Sequence, residues 1–226
     1  PDAMRIALAR HDSLLRSIIE ARGGYVFKTI GDAFCVAFHT APEAVNAAFD
    51  VQRVLVAECW PEPLSLRVRV ALHTGAVESR DNDYFGPPLN RVARLLAVGH
   101  GGQTLLSLTT AELVGESLPP DCSLESMGEH QLKDLGKLER IAQLNHPSLP
   151  REFPPLRSLH NVALPNNLPR QTTSFIGREK ELREIKRLME NIRLLTLTGS
   201  GGAGKTRLAL PAGADLFERF TEGVWL

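Results

Sequence analysis

Tyr25-Val26-Phe27-Lys28-Thr29-Ile30-Gly31-Asp32-Ala33-Phe34-Cys35-Val36-Ala37-Phe38 is the stretch whose reading decides the fold. Two runs rich in β-branched and aromatic residues meet at a Gly-Asp corner, which is the pattern of a hairpin. Lys28 lies four residues before Asp32 on the incoming run. An unpaired ammonium among apolar neighbours is costly, and hard cations seek carboxylates such as one exposed at a tight turn. The hairpin is therefore expected to handle a nucleotide and a metal, although an aspartate beside glycine is also an ordinary turn residue.

On the N-terminal side of the hairpin, Asp2 to Ala21 carries Met4, Ala7, Leu8, Leu14, Leu15, Ile18 and Ile19 at spacings of three and four. This predicts an amphipathic helix, stopped by Gly23-Gly24. On the other side, Thr40 is a cap for a helix opened by Pro42-Glu43 and running to about Cys59, with Pro61 and Pro63 ending it. Leu64 to Val77 alternates, with Leu66, Val68, Val70 and Leu72 set against Arg67, Arg69 and His73, and predicts a half-buried strand. Gly75 loosens its far end, and residues 78–83 read as a short polar arm. Pro87-Pro88 starts a helix from Leu89 to about Val98, closed by Gly99. A strand from Gln103 to Leu108, a helix from Thr109 to Leu118, and two edge strands between Glu125 and Leu144 complete the order. Helices alternating with strands, with hairpins at two places, predict an α/β sandwich with a mixed or antiparallel sheet.

The chain has 226 residues, 43% hydrophobic and 23% charged, with a formal net charge of zero. That length and balance suit one full globular domain plus part of another, and nothing in it calls for nucleic acid or a membrane surface. No apolar run approaches the ~20 residues that span a bilayer, and no signal-type leader opens the chain, so a cytoplasmic location is expected. Cys35, Cys59 and Cys122 are odd in number and widely spaced. They read as reduced buried thiols rather than a disulfide or a metal site.

From His146 to Thr173 six prolines fall in a stretch without period, which predicts a stiff, extended linker. Beyond it, a helix from Gly177-Arg178-Glu179 to Glu190 and a buried strand from Ile192 to Thr198 precede Gly199-Ser200-Gly201-Gly202-Ala203-Gly204-Lys205-Thr206. This fits G-x-x-x-x-G-K-[ST] between a strand and a helix, the setting in which such a loop cradles phosphates. Gly199 and Gly204 would let the backbone approach, Lys205 would reach the β- and γ-phosphates, and Thr206 would ligand Mg²⁺. Pro211, about two turns into the following helix, is expected to kink it.

Lys28-Thr29-Ile30-Gly31-Asp32, Asp83-Tyr84-Phe85-Gly86 and Asn90-Arg91-Val92-Ala93-Arg94 together resemble the catalytic motifs of class III adenylate and guanylate cyclases, in the family's order and at family-like spacings. The resemblance covers about Asp2 to His146 and implies a ferredoxin-like α/β sandwich. It also implies that Lys28 donates to adenine and Asp83 accepts from it, the pair associated with ATP. Asp32 would hold Mg²⁺ or Mn²⁺. Asn90 would orient the ribose and Arg94 would stabilise charge at the α-phosphate. These two lie one helical turn apart and share a face, whereas Arg91 points elsewhere and reads as structural. In the family the two sets of residues come from different subunits, which implies a head-to-tail homodimer.

The family's first metal aspartate, in a Phe-Thr-Asp-(Ile/Leu)-Glu-Gly-Ser-Thr type motif, is absent from this sequence. The chain opens on Pro1 within a helix and stops at Val224-Trp225-Leu226 in a strand-like run, so it reads as a fragment with little or no cyclase activity by itself. Phe175-Ile176-Gly177-Arg178-Glu179 resembles the entry motif of STAND-type signalling ATPases. The resulting expectation is a cyclase domain over 1–146, a Pro-rich linker over 147–173, and the first part of a P-loop NTPase α/β domain over 174–226. The function expected is conversion of ATP to cyclic AMP and pyrophosphate by two-metal chemistry at a homodimer interface, coupled to an ATP-binding switch. A second reading of the same residues is a catalytically silent dimerisation or nucleotide-sensing module of a transcription regulator, any DNA-binding domain lying downstream and no nucleic-acid contact coming from this part. A third makes the P-loop the main activity.

Overall fold

The structure is a computed structural model that describes residues 2–115, 117–158, 177–189, 192–215 and Trp225. Two compact units divide the chain, one made of residues 1–128 with 140–154 and the other of 129–139 with 155–226.

In the first unit α1 (Asp2–Ala21) buries Ala7, His11, Leu15 and Ile19 along one stripe. It ends as the sequence predicts: Gly23 adopts φ 75°, its N–H reaches Glu20 O at 3.0 Å, and the Gly24 N–H reaches Ile19 O at 2.8 Å. That pair of bonds satisfies carbonyls otherwise orphaned at a helix end. A Cβ on Gly24 would lie 2.6 Å from the Phe38 ring, so the turn also needs glycine for space. The hairpin follows as β1 (Tyr25–Ile30) paired antiparallel with β2 (Ala33–Ala37). The second helix, α2 (Ala41–Ala57), carries a full capping box: Glu43 N donates to Thr40 Oγ1 and Thr40 N donates to Glu43 Oε2.

A four-stranded sheet holds β3 (Val70–Leu72), β6 (Thr104–Ser107), β7 (Ser123–His130) and β8 (Glu139–Asn145) in the order β3-β6-β8-β7. The β3–β6 pair is parallel and the β6–β8 pair antiparallel, which is the mixed sheet the element order implies. Three expectations change here. The run 64–77 does alternate in exposure from Leu64 to Val70, but only Val70–Leu72 joins the ladder. The polar arm is a hairpin, β4 (Glu78–Arg80) with β5 (Asp83–Phe85), turned by Asp81 and Asn82 at φ 50° and 60°. Two left-handed residues at such a turn match strand twist, and Asp and Asn tolerate that region. Lastly, β8 lies between β6 and β7 and is not an edge strand.

The helix α3 (Pro87–Val98) starts on its proline pair, and α4 (Leu108–Val114) is capped by Ser107, whose Oγ accepts from Thr110 N. One apolar cluster joins Val45, Leu106, Val114 and Leu144, and a second joins Leu15, Ile19, Val51 and Leu55 with Val26, Phe34, Val36 and Phe38 of the hairpin packed on it. Buried polar side chains in the same unit are satisfied by one another and by backbone. Gln52 donates to Val68 O, Gln103 donates to Gln143 Oε1 at 2.6 Å, and Gln143 donates to Asn145 Oδ1 at 2.7 Å. Among the described residues, no buried side-chain polar atom lacks a partner, as a low-dielectric interior requires.

The second unit takes in residues from Pro155 onward, within the Pro-rich stretch. Leu156 and Ser158 are 3% and 2% exposed, and Ser158 Oγ shares a 2.8 Å hydrogen bond with His130, so the start of the Pro-rich stretch is packed rather than free. Most of that stretch, with Phe175 and Ile176, lies outside the described residues. Helices α5 (Glu179–Met189) and α6 (Lys205–Asp215) bury Leu182, Ile185, Leu208 and Ala212 against one another, with Leu195 and Leu197 beside them. The run 192–198 is not a strand, and Leu194 is 83% exposed; no neighbouring strand pairs with it among the described residues. The α6 helix continues through Pro211.

Candidate active site

Two of the proposed site residues meet. Lys28 Nζ lies 2.5 Å from Asp83 Oδ2, joining β1 to β5 across 55 positions of sequence. The backbone N–H of Tyr84 donates to the other carboxylate oxygen at 2.8 Å. The hydrogen bond from Lys28, then that from Tyr84, hold the Asp83 carboxyl below its ordinary value, and Asp83 in turn raises Lys28. Both side chains are solvent-accessible, at 48% and 24% exposure, so the pair is open to a ligand.

The ammonium reaches that carboxylate because β1 is irregular. Val26 faces Val36 and Lys28 faces Cys35, so Phe27 is an extra residue in the ladder. Its ring sits edge-on to Tyr84, with centroids 5.0 Å apart at 79°. Cys35 is half-buried beside Lys28, and burial raises its thiol more than the lysine lowers it. Cys122 is likewise half-buried and raised by burial, whereas Cys59 is exposed, contrary to the expectation of three buried thiols.

Asp32 occupies the exposed tip of the hairpin after Gly31, whose φ of 63° favours glycine. It makes no hydrogen bond or ion pair among the described residues. No group of three or more His, Cys, Asp or Glu there could hold a metal ion. A single exposed carboxylate does not compose a two-ion site, so the donors present do not by themselves fit the pair of ions the family resemblance implies. Asn90 is exposed on the first turns of α3, and Arg94 is half-buried one turn further. Pro88, at the start of that helix, packs over Gly75, where an added Cβ would meet Pro88 Cγ at 2.7 Å. Gly75 thus seats α3 against the segment following β3, a stronger role than loosening a strand end.

His73, which the alternation of its strand sets on the polar side, belongs to a polar cluster instead. His73 Nδ1 shares a 2.8 Å hydrogen bond with Ser107, and Thr74 and Thr110 hydroxyls are 3.1 Å apart. Burial, then the nearby Arg91 charge, pushes the His73 imidazole below its usual value. The available signal was a histidine at the end of an alternating strand, which parity alone assigns to the polar face.

In the second unit Lys205 Nζ donates to the carbonyls of Gly199 and Ser200, both at 2.8 Å, folding the glycine-rich loop around its own ammonium. Gly202 and Gly204 adopt φ 77° and 74°, which a side chain would strain. Thr206 is exposed on the first turn of α6.

The chain belongs to the adenylate and guanylate cyclase catalytic domain family, whose description matches residues 1–144. It is similar to an uncharacterized protein of Mycobacterium tuberculosis, 39% identical over 184 residues, which covers 80% of this chain and 62% of that one. The chain thus spans less than two thirds of that relative's length. An adenylate cyclase of Schizosaccharomyces pombe is 28% identical over 218 residues, covering 76% of this chain and 13% of that enzyme. Among solved structures, an adenylate cyclase of Trypanosoma brucei in its monomeric state superposes with a TM-score of 0.61 at 27% identity, covering 68% of this chain and 84% of that one. Among the described residues no helix is long and apolar enough to cross a membrane.

Proposed function

We propose that the first unit is an adenylate cyclase domain that binds ATP through the Lys28–Asp83 pair. The observation that carries this reading is the 2.5 Å contact between those two side chains. Adenine presents N1 as an acceptor and its N6 amino group as a donor. A lysine and a carboxylate held side by side match that pattern, each exchanging its bond to the other for one to the base. Guanine, with an acceptor at O6 and a donor at N1, reverses the order and is left with mismatched partners, which discriminates strongly when the groups are desolvated.

Asn90 orients the ribose, and Arg94 places a guanidinium at the α-phosphate, where negative charge accumulates as the 3′-oxygen attacks phosphorus. The new 3′-O–P bond forms as the bond from the α-phosphorus to the pyrophosphate oxygen breaks, and the hydroxyl proton is released. Family members supply Mg²⁺ or Mn²⁺ to such a site. Asp32 is the residue of this chain proposed to hold such an ion. A head-to-tail pair of chains would bring the Asp32 of one subunit to the Arg94 side of the other. The Gly199–Thr206 loop is proposed to bind ATP separately, with Lys205 leaving its loop carbonyls for the β- and γ-phosphates.

The test is cyclic AMP formation from ATP with Mn²⁺ by the protein in its full natural length and by its Arg94→Ala and Asp32→Ala variants. We expect each variant to lose about a hundredfold or more in kcat. Equal rates in wild type and both variants would sink the catalytic assignment. A second reading of the same residues is a silent nucleotide-sensing module, upheld if the full-length Lys205→Ala protein binds ATP but forms no cyclic product.

A further inference from the structure

In a regular strand alternate side chains share a face, so Lys28 would point the same way as Val26. Val26 packs on the core cluster with Phe34 and Val36. A regular β1 would therefore aim the ammonium at Leu15, Ile19 and Val51. The observed register avoids this: the ladder passes from Val26↔Val36 to Lys28↔Cys35, with Phe27 inserted. One extra residue moves everything beyond it to the opposite face, and Lys28 now shares a face with Cys35, away from Phe34 and Val36. The inserted Phe27 is not idle. Its ring meets Tyr84 edge-on at 5.0 Å, and Tyr84 is the residue whose N–H holds Asp83 Oδ1.

We infer that Phe27 and Tyr84 are positioning residues for base discrimination: the Phe27 bulge turns Lys28 out of the core, and the Phe27–Tyr84 ring contact docks β5 on β1 so that Asp83 meets Lys28. Edge-to-face ring pairs have a preferred geometry, unlike a general apolar contact, and this one lies between the two strands that carry the base-reading groups. The inference rests on the proposed adenine-reading role of Lys28 and Asp83. It assigns the fine setting of that pair to two rings that touch no reacting atom.

The test is displacement of a fluorescent ATP analogue by ATP and by GTP, on protein carrying Lys205→Ala so that the P-loop does not contribute. The readout is the ratio of the two apparent Kd values, which a general loss of stability does not move. Phe27→Ala and Tyr84→Ala are each expected to lower the preference for ATP by roughly tenfold, the scale of one weakened hydrogen bond to the base. Tyr84→Phe, which keeps the ring edge, should restore the wild-type ratio. If Tyr84→Ala does not fold, Tyr84→Leu keeps the apolar bulk without the ring geometry and should show the same loss. The control is the Lys28→Glu, Asp83→Cys double variant. A ratio moved by the double variant but unchanged in every ring variant overturns this inference alone. A ratio unmoved by the double variant overturns the base-reading assignment, and the inference with it.

Discussion

His73 offers a pH test at the scale of one residue. Its imidazole is held below the ordinary value, chiefly by burial and then by Arg91. A group whose folded pKa is depressed contributes stability that is present above its unfolded value, about 6.5, and lost as pH falls through the folded one. Thermal unfolding followed between pH 8 and pH 5 should therefore show a midpoint that drops below about pH 6.5. His73→Gln, which keeps a polar group near Ser107, should flatten that slope. An equal slope in both proteins would remove His73 from the account. The Lys28–Asp83 pair behaves otherwise: with Asp83 lowered and Lys28 raised from their ordinary values, both groups stay charged across the neutral range. Base preference should accordingly be flat between pH 6 and pH 9.

Among the elements, α3 carries both Asn90 and Arg94, and its seat is Gly75 against Pro88. A methyl at residue 75 would fall 2.7 Å from a ring carbon that cannot rotate away, so the helix start must shift. Gly75→Ala is expected to cost about 1–3 kcal/mol by overpacking, read as a lowered urea midpoint. It should also lower cyclase kcat, because the arginine one turn beyond Asn90 moves with its helix. Unchanged kcat alongside reduced stability would show that the seat is structural only. The hairpin ends and α3 were legible in sequence because their signals are local: Thr40, Pro87 and the paired glycines each act within a few residues. The β4–β5 hairpin was not, since Asp81-Asn82 is a polar run whose left-handed pairing shows only once two short strands meet.

For the molecule as a whole, the two units allow separate tests. Leu106 is fully buried in the cluster with Val45, Val114 and Leu144, so Leu106→Ala should cost about 2–5 kcal/mol of stability. Calorimetry should show that loss in one transition and not in a second. Lys205→Ala should abolish nucleotide binding by the P-loop while leaving the far-UV circular dichroism unchanged. Retained ATP binding at both sites would exclude the loop as a phosphate cradle. The second unit was the less legible half. Its loop motif stands out because glycine, lysine and threonine at fixed spacing are chemically specific. The apolar run at 192–198 reads as a buried strand, yet a strand exists only with a partner, and none is paired with it among the described residues.

By itself the sequence determined the helix order, the Thr40 cap, the hairpin at Gly31-Asp32 and the chemical character of the side chains proposed to read a base, because these depend on local backbone preference and side-chain chemistry. The tertiary structure alone decided which of them meet. Whether Lys28 faces the core or Asp83 turns on one inserted residue in β1, and parity along a strand reveals such an insertion only when the partner strand fixes the register. The same holds for His73, whose solvent-side position in the alternation gives way to a half-buried one between Ser107 and Arg91. Long-range packing, not local pattern, sets the direction in which a side chain can act.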